Sequence, residues 1–234
     1  MMRQAVLVTR PEPGLSETVS AVQAQGWRAI ASPVMTMRQM PPIEDHPCRA
    51  MLVTSSQALP FLVKQDRDRL LLTVGNRTAQ RAEAMGFRCV EAASGTQEGL
   101  EALCRQKNLY GSDLLLACGR GRHGQPYGVD LAVKLGAQRV EAYQVQPVEH
   151  LSGAALEALA TGELEAVLFY SSETVSLFME LCPPELHDRL GQCRAICFSQ
   201  AIAKRAESMG QWGCIEVGSP LTVLGKRHEK RRTI

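Results

Sequence analysis

The stretch LLTVGNRTAQRAEAMGFRCVEAA, Leu71–Ala93, reads as a strand, a turn, an amphipathic helix, a glycine and a second strand. Its helix ending, AQRAEAMG (Ala79–Gly86), has a near twin in AKRAESMG (Ala203–Gly210). A glycine at the end of such a periodic segment, like Gly86, is typical of a left-handed helix stop. Alternating strands and helices predict a parallel sheet with helices on both faces.

The similarity extends toward the N-terminus of both copies. MLVTSSQALPFLV (Met51–Val63) aligns with VLFYSSETVSLFM (Val167–Met179), and both contain an apolar strand, a Ser-Ser turn and an apolar helical face. One copy carries a short insertion, which we place around CPPELHD (Cys182–Asp188). The chain therefore predicts a duplicated module that forms two similar parallel-sheet α/β domains.

Two proline-containing segments interrupt this rhythm. They are SPVMTMRQMPPIEDHP (Ser32–Pro47) and AYQVQPVEH (Ala142–His150), and we interpret them as crossings that form a two-stranded hinge. The sequence thus predicts a discontinuous first domain over residues 1–34 and 149–225, linker strands over 35–42 and 140–148, a second domain over 43–139, and a basic disordered tail over 226–234.

Composition excludes several classes of protein. The formal net charge of +2 comes from the tail, KRHEKRR (Lys226–Arg232), so the rest of the chain lacks the basic surface of a nucleic-acid binder. The N-terminal apolar run is too short for a signal sequence or a membrane span, which predicts a cytoplasmic protein without membrane partners. The eight cysteines and five histidines lack ligand spacing, so we expect reduced structural thiols and no metal site.

Turns that follow the predicted strands hold the candidate ligand-binding residues. Ligands of open parallel sheets bind beyond the carboxyl ends of the strands, where helix N-termini present free N–H groups. Small, hydroxyl-bearing or basic residues at these turns suit several carboxylates or phosphates, although the same residues could instead cap their own helices. The candidates are Arg10, Thr54, Ser55, Ser56, Asn76, Arg77, Thr78, Ser171, Ser172, Ser199 and Gln200.

The motif GRGRHG (Gly119–Gly124) has three interpretations. It follows a strand and fits G-x-G-x-x-G, with Glu141 downstream to hold a ribose hydroxyl, as in an NAD(P)-dependent oxidoreductase. However, the segment QPYG (Gln125–Gly128) delays the helix that should begin inside such a motif. The motif could instead be a basic loop in which Arg120 contacts an acidic ligand, or a plain surface loop.

Tyr143 is the candidate catalytic residue. It lies at a predicted crossing between domains, where a ligand held between the domains would contact it. Its phenol, with an ordinary pKa near ~10, could donate a proton or a hydrogen bond to a leaving oxygen. The alternative is that Tyr143 only packs within the linker.

Together these motifs resemble the uroporphyrinogen-III synthase family. The resemblance runs from VLVTRP (Val6–Pro11) to about Gly218 and rests on the order and spacing of its elements. It implies a HemD-like fold with flavodoxin-like topology, in which the second domain is inserted between two strands and the domains face one another across a cleft. The other matching elements are TSSQA, VGNRTA (Val74–Ala79), GTQEGL (Gly95–Leu100), AYQ (Ala142–Gln144) and FYSSETV (Phe169–Val175).

The resemblance also implies an activity. Members of the family are cyclising lyases that convert the linear tetrapyrrole hydroxymethylbilane into uroporphyrinogen III, with inversion of ring D, loss of water and no cofactor. This substrate carries eight carboxylates, and Tyr143 matches the tyrosine that assists departure of its hydroxyl. A monomer is compatible with the sequence, which does not fix the oligomeric state. The alternatives are the oxidoreductase and a non-catalytic, two-lobed binder of an acidic small ligand.

Two segments depart from the family pattern. CFSQAIA (Cys197–Ala203) stands where a turn with Gly and Thr is usual, which weakens the expectation of substrate contacts there. After Gly218 the chain reads SPLTVLGKRHEKRRTI, where the family has a final amphipathic helix. We therefore expect one sheet face to be thinly covered, which predicts reduced stability or a helix supplied by an oligomeric contact.

Overall fold

The computed structural model describes residues 4–232, and the chain divides into two compact units. Unit 1 combines Met1–Thr36 with Pro147–Ile234, and unit 2 is Met37–Gln146. The chain passes between the units twice, and both passages fall within the segments interpreted as linker strands. Unit 1 is therefore discontinuous in sequence, and unit 2 is an insertion in it.

Strands and helices alternate along most of the chain. The strands are β1 (Ala5–Val8), β2 (Arg28–Ala31), β3 (Met35–Gln39), β4 (Ala50–Val53), β5 (Leu70–Thr73), β6 (Val90–Ala92), β7 (Leu114–Arg120), β8 (Gln138–Pro147), β9 (Leu164–Phe169), β10 (Arg194–Cys197) and β11 (Cys214–Val217). The α-helices are α1 (Leu15–Ala24), α2 (Asn76–Ala84), α3 (Gln97–Gln106), α4 (Val129–Leu135), α5 (Gly153–Ala160), α6 (Ser172–Leu181), α7 (Gln200–Met209) and α8 (Pro220–Arg232). Shorter 3-10 helices cover Ser56–Leu62, Gly111–Asp113 and Pro184–Gln192.

Unit 1 contains a five-stranded sheet in the order β11-β10-β9-β1-β2, and its strand pairs are parallel. Every residue of β1 and β10 is buried, which is typical of parallel strands covered by helices on both faces. The connections from β1 and from β9 run in opposite directions along the sheet. This is the flavodoxin-like order, and it makes the boundary between β1 and β9 the topological switch point.

Unit 2 contains a six-stranded sheet in the order β3-β8-β7-β4-β5-β6. The pairs of β4 with β5 and β7, of β5 with β6, and of β7 with β8 are parallel. The connections from β4 and β7 diverge, so the switch point of this sheet lies between these two strands. The expected pair of parallel-sheet α/β domains is confirmed.

The twin segments occupy equivalent places in the two sheets. The run β5–α2–β6 forms one outer end of its sheet, and β10–α7–β11 forms the corresponding end of the other. The glycines differ: Gly86 has φ +91°, the predicted left-handed stop, whereas Gly210 ends α7 in extended conformation with φ −163°. The segment after Ser55 also differs from α6, because it contains Pro60 and forms a 3-10 helix.

The expectation that the final helix is missing was wrong. α8 packs against α1, β10 and β11, and Leu224 is fully buried with Val22 and Trp27 in one core cluster. The amide of Gln25 also donates a hydrogen bond of 3.0 Å to the carbonyl of Leu221. Leu221 and Val223 also pack against this core cluster, so the few apolar residues of the segment help to cover the sheet. The predicted disordered tail starts at residue 226, whereas α8 continues to residue 232; residues 233 and 234 lie outside the described residues.

Across the described residues 4–232, no helix combines the length and the apolar character needed to cross a bilayer.

Candidate active site

A depression of about 520 Å³ opens at the switch point of unit 2. Thr54 and Ser55, which directly follow β4, form one side of it. The segment from Pro126 to Asp130, which leads into α4, and Gln97 at the start of α3 form further parts of the lining. Tyr143 completes it, with only 6% of its surface exposed. The sheet topology therefore places this phenol where open α/β sheets bind ligands.

A register shift between β7 and β8 orients Tyr143. Cys118 pairs with Glu141, but the next residue, Gly119, pairs with Tyr143, so Ala142 is an extra residue on β8. Successive side chains along a strand point to opposite faces of the sheet. An extra residue therefore reverses the face to which each later side chain of that strand points. Gly119 also makes room for the ring, because a Cβ on it would lie 2.3 Å from Cε2 and Cζ of Tyr143.

Arg139 holds the segment that forms one wall of the depression. Its Nη2 donates to the carbonyl of Gly119 at 3.0 Å, and its Nε donates to the carbonyl of Tyr127 at 2.7 Å. The N–H of Tyr127 donates to the same Gly119 carbonyl at 3.0 Å. These bonds fasten both ends of the intervening loop, so the wall beside Tyr143 is ordered.

The GRGRHG loop does not form a dinucleotide site. α4 begins at Val129, well after the motif, so no helix N-terminus meets its glycines. The carboxylate of Glu141, the expected ribose ligand, accepts hydrogen bonds from Arg120 at 2.7 Å and from Arg139 at 3.4 Å. The hydrogen bond from Arg120 lowers the pKa of Glu141, so this carboxylate stays charged and paired. The guanidinium of Arg120 accordingly has an internal partner.

The other polar candidates of unit 2 are not among the residues that line the depression. The hydroxyl of Ser56 accepts a hydrogen bond of 2.9 Å from Arg81. Asn76, Arg77 and Thr78 form the first turn of α2, where Asn76 and Arg77 are exposed and Thr78 is buried. Within the lining itself, the hydroxyl of Ser55 accepts from the backbone N–H of Gln57, as a capping residue does.

In unit 1 the two serine turns behave differently. Ser171 caps α6 and forms a reciprocal capping box with Thr174, so its hydroxyl has a structural role. Ser199 is the N-cap of α7 but makes no side-chain cap hydrogen bond. Ser172 and Gln200, the first residues of the two helices, are exposed. The hydroxyl of Ser199 is therefore the better placed of the two N-cap hydroxyls for a ligand.

Arg10 lies at the switch point of unit 1, just after β1. Its guanidinium carbon is 4.3 Å from the centre of the Tyr170 ring, and Nη1 lies 3.4 Å from the hydroxyl of Thr18. Tyr170 directly follows β9, the other strand that borders the switch point. A Cβ on Gly14 would lie 2.3 Å from the guanidinium carbon, so this glycine leaves space for Arg10.

Comparison with known families decides the identity of the fold. The family model described as "Uroporphyrinogen-III synthase HemD" matches residues 16–213. The chain belongs to the uroporphyrinogen-III synthase family. The activity is that of a cyclising lyase of porphyrin and heme biosynthesis with a small-molecule substrate, and the oxidoreductase and the non-catalytic binder are not favoured.

Two solved structures share the fold. Uroporphyrinogen-III synthetase from Helicobacter pylori aligns with a TM-score of 0.62 at 14% identity, over 100% of both chains. A mutant uroporphyrinogen III synthase from Thermus thermophilus aligns with a TM-score of 0.53 at 15% identity, over 97% of this chain and 99% of the other. A search of curated proteins returned no match. At these identities the structural matches establish the fold alone.

Sequence reasoning missed some of the residues that line the depression of unit 2. Gln97 lies within GTQEGL, and Tyr127 and Asp130 lie in or after the QPYG segment, which was noted only because it delays a helix. Gly128, at φ +72°, is the turn residue that lets the chain enter α4 there. A turn with proline and glycine between a switch-point strand and its helix was the available signal.

Proposed function

We propose that the depression of unit 2 holds the reacting end of hydroxymethylbilane, and that Tyr143 assists departure of its hydroxyl as uroporphyrinogen III forms. The observation that carries this proposal is the placement of Tyr143, which lines the depression and lies opposite Gly119 just beyond the register shift. Membership in the family supplies the reaction class.

Tyr143 acts as a general acid in this proposal. Its phenol donates a proton to the departing hydroxyl, the carbon–oxygen bond breaks, and water leaves. Ring closure with inversion of ring D then makes two carbon–carbon bonds and breaks one. The carbon that lost the hydroxyl bonds to the substituted α-carbon of ring D, and the bond from that α-carbon to its original bridging carbon breaks. The bridging carbon then bonds to the free α-carbon of ring D, which releases a proton and restores the phenol. The overall change is loss of one water, so no oxidant, reductant or cofactor is required. Because the activated tetrapyrrole also closes without help to the uninverted isomer, Tyr143 is helpful rather than indispensable.

Substrate carboxylates bind to donors at the strand ends of each unit. In unit 2 we assign this role to Thr54, Ser55, Ser56 and the first turn of α2, which consists of Asn76, Arg77 and Thr78 and in which Asn76 and Arg77 are exposed. Charge-assisted hydrogen bonds from Arg77 and helix N-termini to carboxylates are favourable, and they require no large basic patch. In unit 1 we assign it to Arg10, Ser171, Ser172, Ser199 and Gln200.

Arg120 has a supporting role in the proposal. Its side chain is 42% exposed although it donates a hydrogen bond to Glu141. A guanidinium has five N–H donors, so Arg120 can add a contact to a substrate carboxylate without losing its partner. We place the reaction in the cytoplasm, with the tetrapyrrole as sole partner and with neither nucleic acid nor a membrane required.

Holding a flexible tetrapyrrole in one conformation determines which pyrrole carbon is attacked. Many hydrogen bonds to its carboxylates reduce the conformations open to the chain, and such positioning contributes several kcal/mol to catalysis. The protein therefore controls the isomer chiefly by binding, while the acid controls the rate.

Incubation with freshly prepared hydroxymethylbilane, followed by separation of isomers I and III, tests the proposal. Wild-type protein should give mainly isomer III, and isomer I alone, at the rate seen without protein, would overturn it. Tyr143→Phe should slow the reaction about tenfold and still give isomer III, because positioning is retained. Tyr110→Phe is the control, because this exposed phenol precedes β7 at the amino end of the sheet. An unchanged rate in Tyr143→Phe would remove the phenol from the mechanism.

A further inference from the structure

Three side chains form a ridge at the carboxyl edge of the unit 1 sheet: Arg10, Tyr170 and Phe198. They follow β1, β9 and β10, which are neighbours in the sheet. The ring centres of Tyr170 and Phe198 are 6.2 Å apart and the planes are inclined by only 25°, while the guanidinium of Arg10 covers the Tyr170 ring at 4.3 Å. The ridge thus consists of a cation followed by two aromatic rings.

Phe198 is unusually exposed for a residue in this position. The strand it follows is buried throughout, yet 55% of Phe198 is accessible to solvent. Only a few large apolar side chains of the described residues are comparably exposed, and Tyr110, at 44%, is the other aromatic among them. An exposed aromatic ring at the ligand-binding edge of a sheet is a candidate contact for an apolar or aromatic ligand group.

Arg10 is held so that it can bind an anion. One face of its guanidinium lies on the Tyr170 ring. Gly14 lies so close to the guanidinium that a Cβ on this residue would be 2.3 Å from the guanidinium carbon. Stacking uses the face of a guanidinium, whose five N–H donors lie around its edge, so a carboxylate can add a contact beside the partners that Arg10 already has, such as Thr18. The ridge therefore offers an aromatic surface and a cationic hydrogen-bond donor side by side.

We propose that the Arg10–Tyr170–Phe198 ridge binds one pyrrole unit of the substrate, with the pyrrole ring against Phe198 and one of its carboxylates on Arg10. A carboxylate-bearing pyrrole combines an electron-rich flat ring with an anionic arm, which matches both parts of the ridge. The ridge also borders the switch point of unit 1, the place equivalent to the Tyr143 depression of unit 2. This inference rests on the proposed function and adds Tyr170 and Phe198 to its binding residues.

Phe198→Leu tests the inference, because it keeps an apolar side chain and removes the ring. We expect the KM for hydroxymethylbilane to rise about fivefold with little change in kcat, which corresponds to the strength of one aromatic stacking contact. Phe198→Tyr, which retains the ring, should raise KM less than Phe198→Leu does. Tyr110→Leu is the matched control, since it removes an exposed aromatic ring at the opposite edge of a sheet and should leave KM unchanged.

The outcomes separate this inference from the proposed function. If wild-type protein forms no isomer III, the proposed function fails and the ridge loses its ligand. If wild-type protein forms isomer III and Phe198→Leu has the wild-type KM, the ridge proposal alone is overturned. Equal rises of KM in Phe198→Leu and Tyr110→Leu would also overturn the ridge proposal, because the loss of any exposed aromatic ring would then have the same effect on KM.

Discussion

The ring of Tyr143 lies directly against the Cα of Gly119, so that a Cβ there would be 2.3 Å from Cε2 and Cζ and 2.8 Å from the phenol oxygen. The two residues are paired across β7 and β8 immediately beyond the register shift. The glycine therefore determines where the phenol of the proposed acid lies. Since the ring is nearly buried, it cannot yield to a new methyl group without leaving its place.

Gly119→Ala should consequently lower the rate of the catalysed reaction. We expect kcat to fall about tenfold, as in Tyr143→Phe, because both changes withdraw the phenol from the leaving hydroxyl. The double variant Gly119→Ala/Tyr143→Phe should be no slower than the slower single variant, since residues that act through one group are not additive. Gly153→Ala is the control, because a Cβ there has open space. Additive losses of kcat in the double variant would contradict the positioning role.

The sequence predicted the duplicated architecture well because that architecture depends on repeated local patterns. Apolar runs such as LLTVG and LLLAC marked central strands, and the periodic segments between them became helices. The register shift beside Tyr143 could not be read in this way, because an extra residue on a strand leaves no compositional signal.

The ends of elements were predicted less well for similar reasons. A basic segment with few apolar residues suggested disorder near the end of the chain. In the structure, Leu224 and its neighbours pack against α1, and this tertiary packing stabilises α8. Arg120 was predicted as a ligand-binding cation, and its pairing with Glu141 depends on two strands being adjacent. Such pairings follow from topology and not from spacing along the chain.

Leu224→Ala should therefore destabilise unit 1. The side chain is fully buried, and the loss of buried methyl groups together with the cavity left behind costs about 2–4 kcal/mol. Urea denaturation of the full chain would measure the change in the free energy of unfolding. Val133→Ala is the control, because Val133 is 76% exposed on α4. Equal stability of Leu224→Ala and wild type would mean that α8 does not contribute to the fold.

Glu141 should make stability depend on pH in the acid range. Its hydrogen bond from Arg120 lowers its pKa in the folded state, so folding favours the charged carboxylate. The contribution is fully present above the unfolded-state pKa, about 4.3, and is lost as the pH falls through the lower folded-state pKa.

The comparison of wild type with Glu141→Gln isolates this contribution. The wild type should be the more stable protein at pH 7, and the difference should shrink below about pH 4. Glu83→Gln, which changes an exposed carboxylate on α2, controls for the general loss of negative charge. A difference that stays constant from pH 7 to about pH 3 would show that the charge of Glu141 is not responsible.

Ser171 and Ser199 form a matched pair that separates capping from substrate binding. Both are N-caps after neighbouring strands of one sheet, but only Ser171 makes a side-chain cap hydrogen bond. Ser171→Ala should reduce stability by about 1 kcal/mol, and Ser199→Ala should leave the melting temperature nearly unchanged. Because we assign Ser199 to a substrate carboxylate, Ser199→Ala should also raise KM at least about tenfold, since a hydrogen bond to a charged group contributes about 1.5–3 kcal/mol. Thermal melts and kinetics of the two variants measure both effects, and a loss of stability in Ser199→Ala without a change in KM would assign this hydroxyl to capping alone.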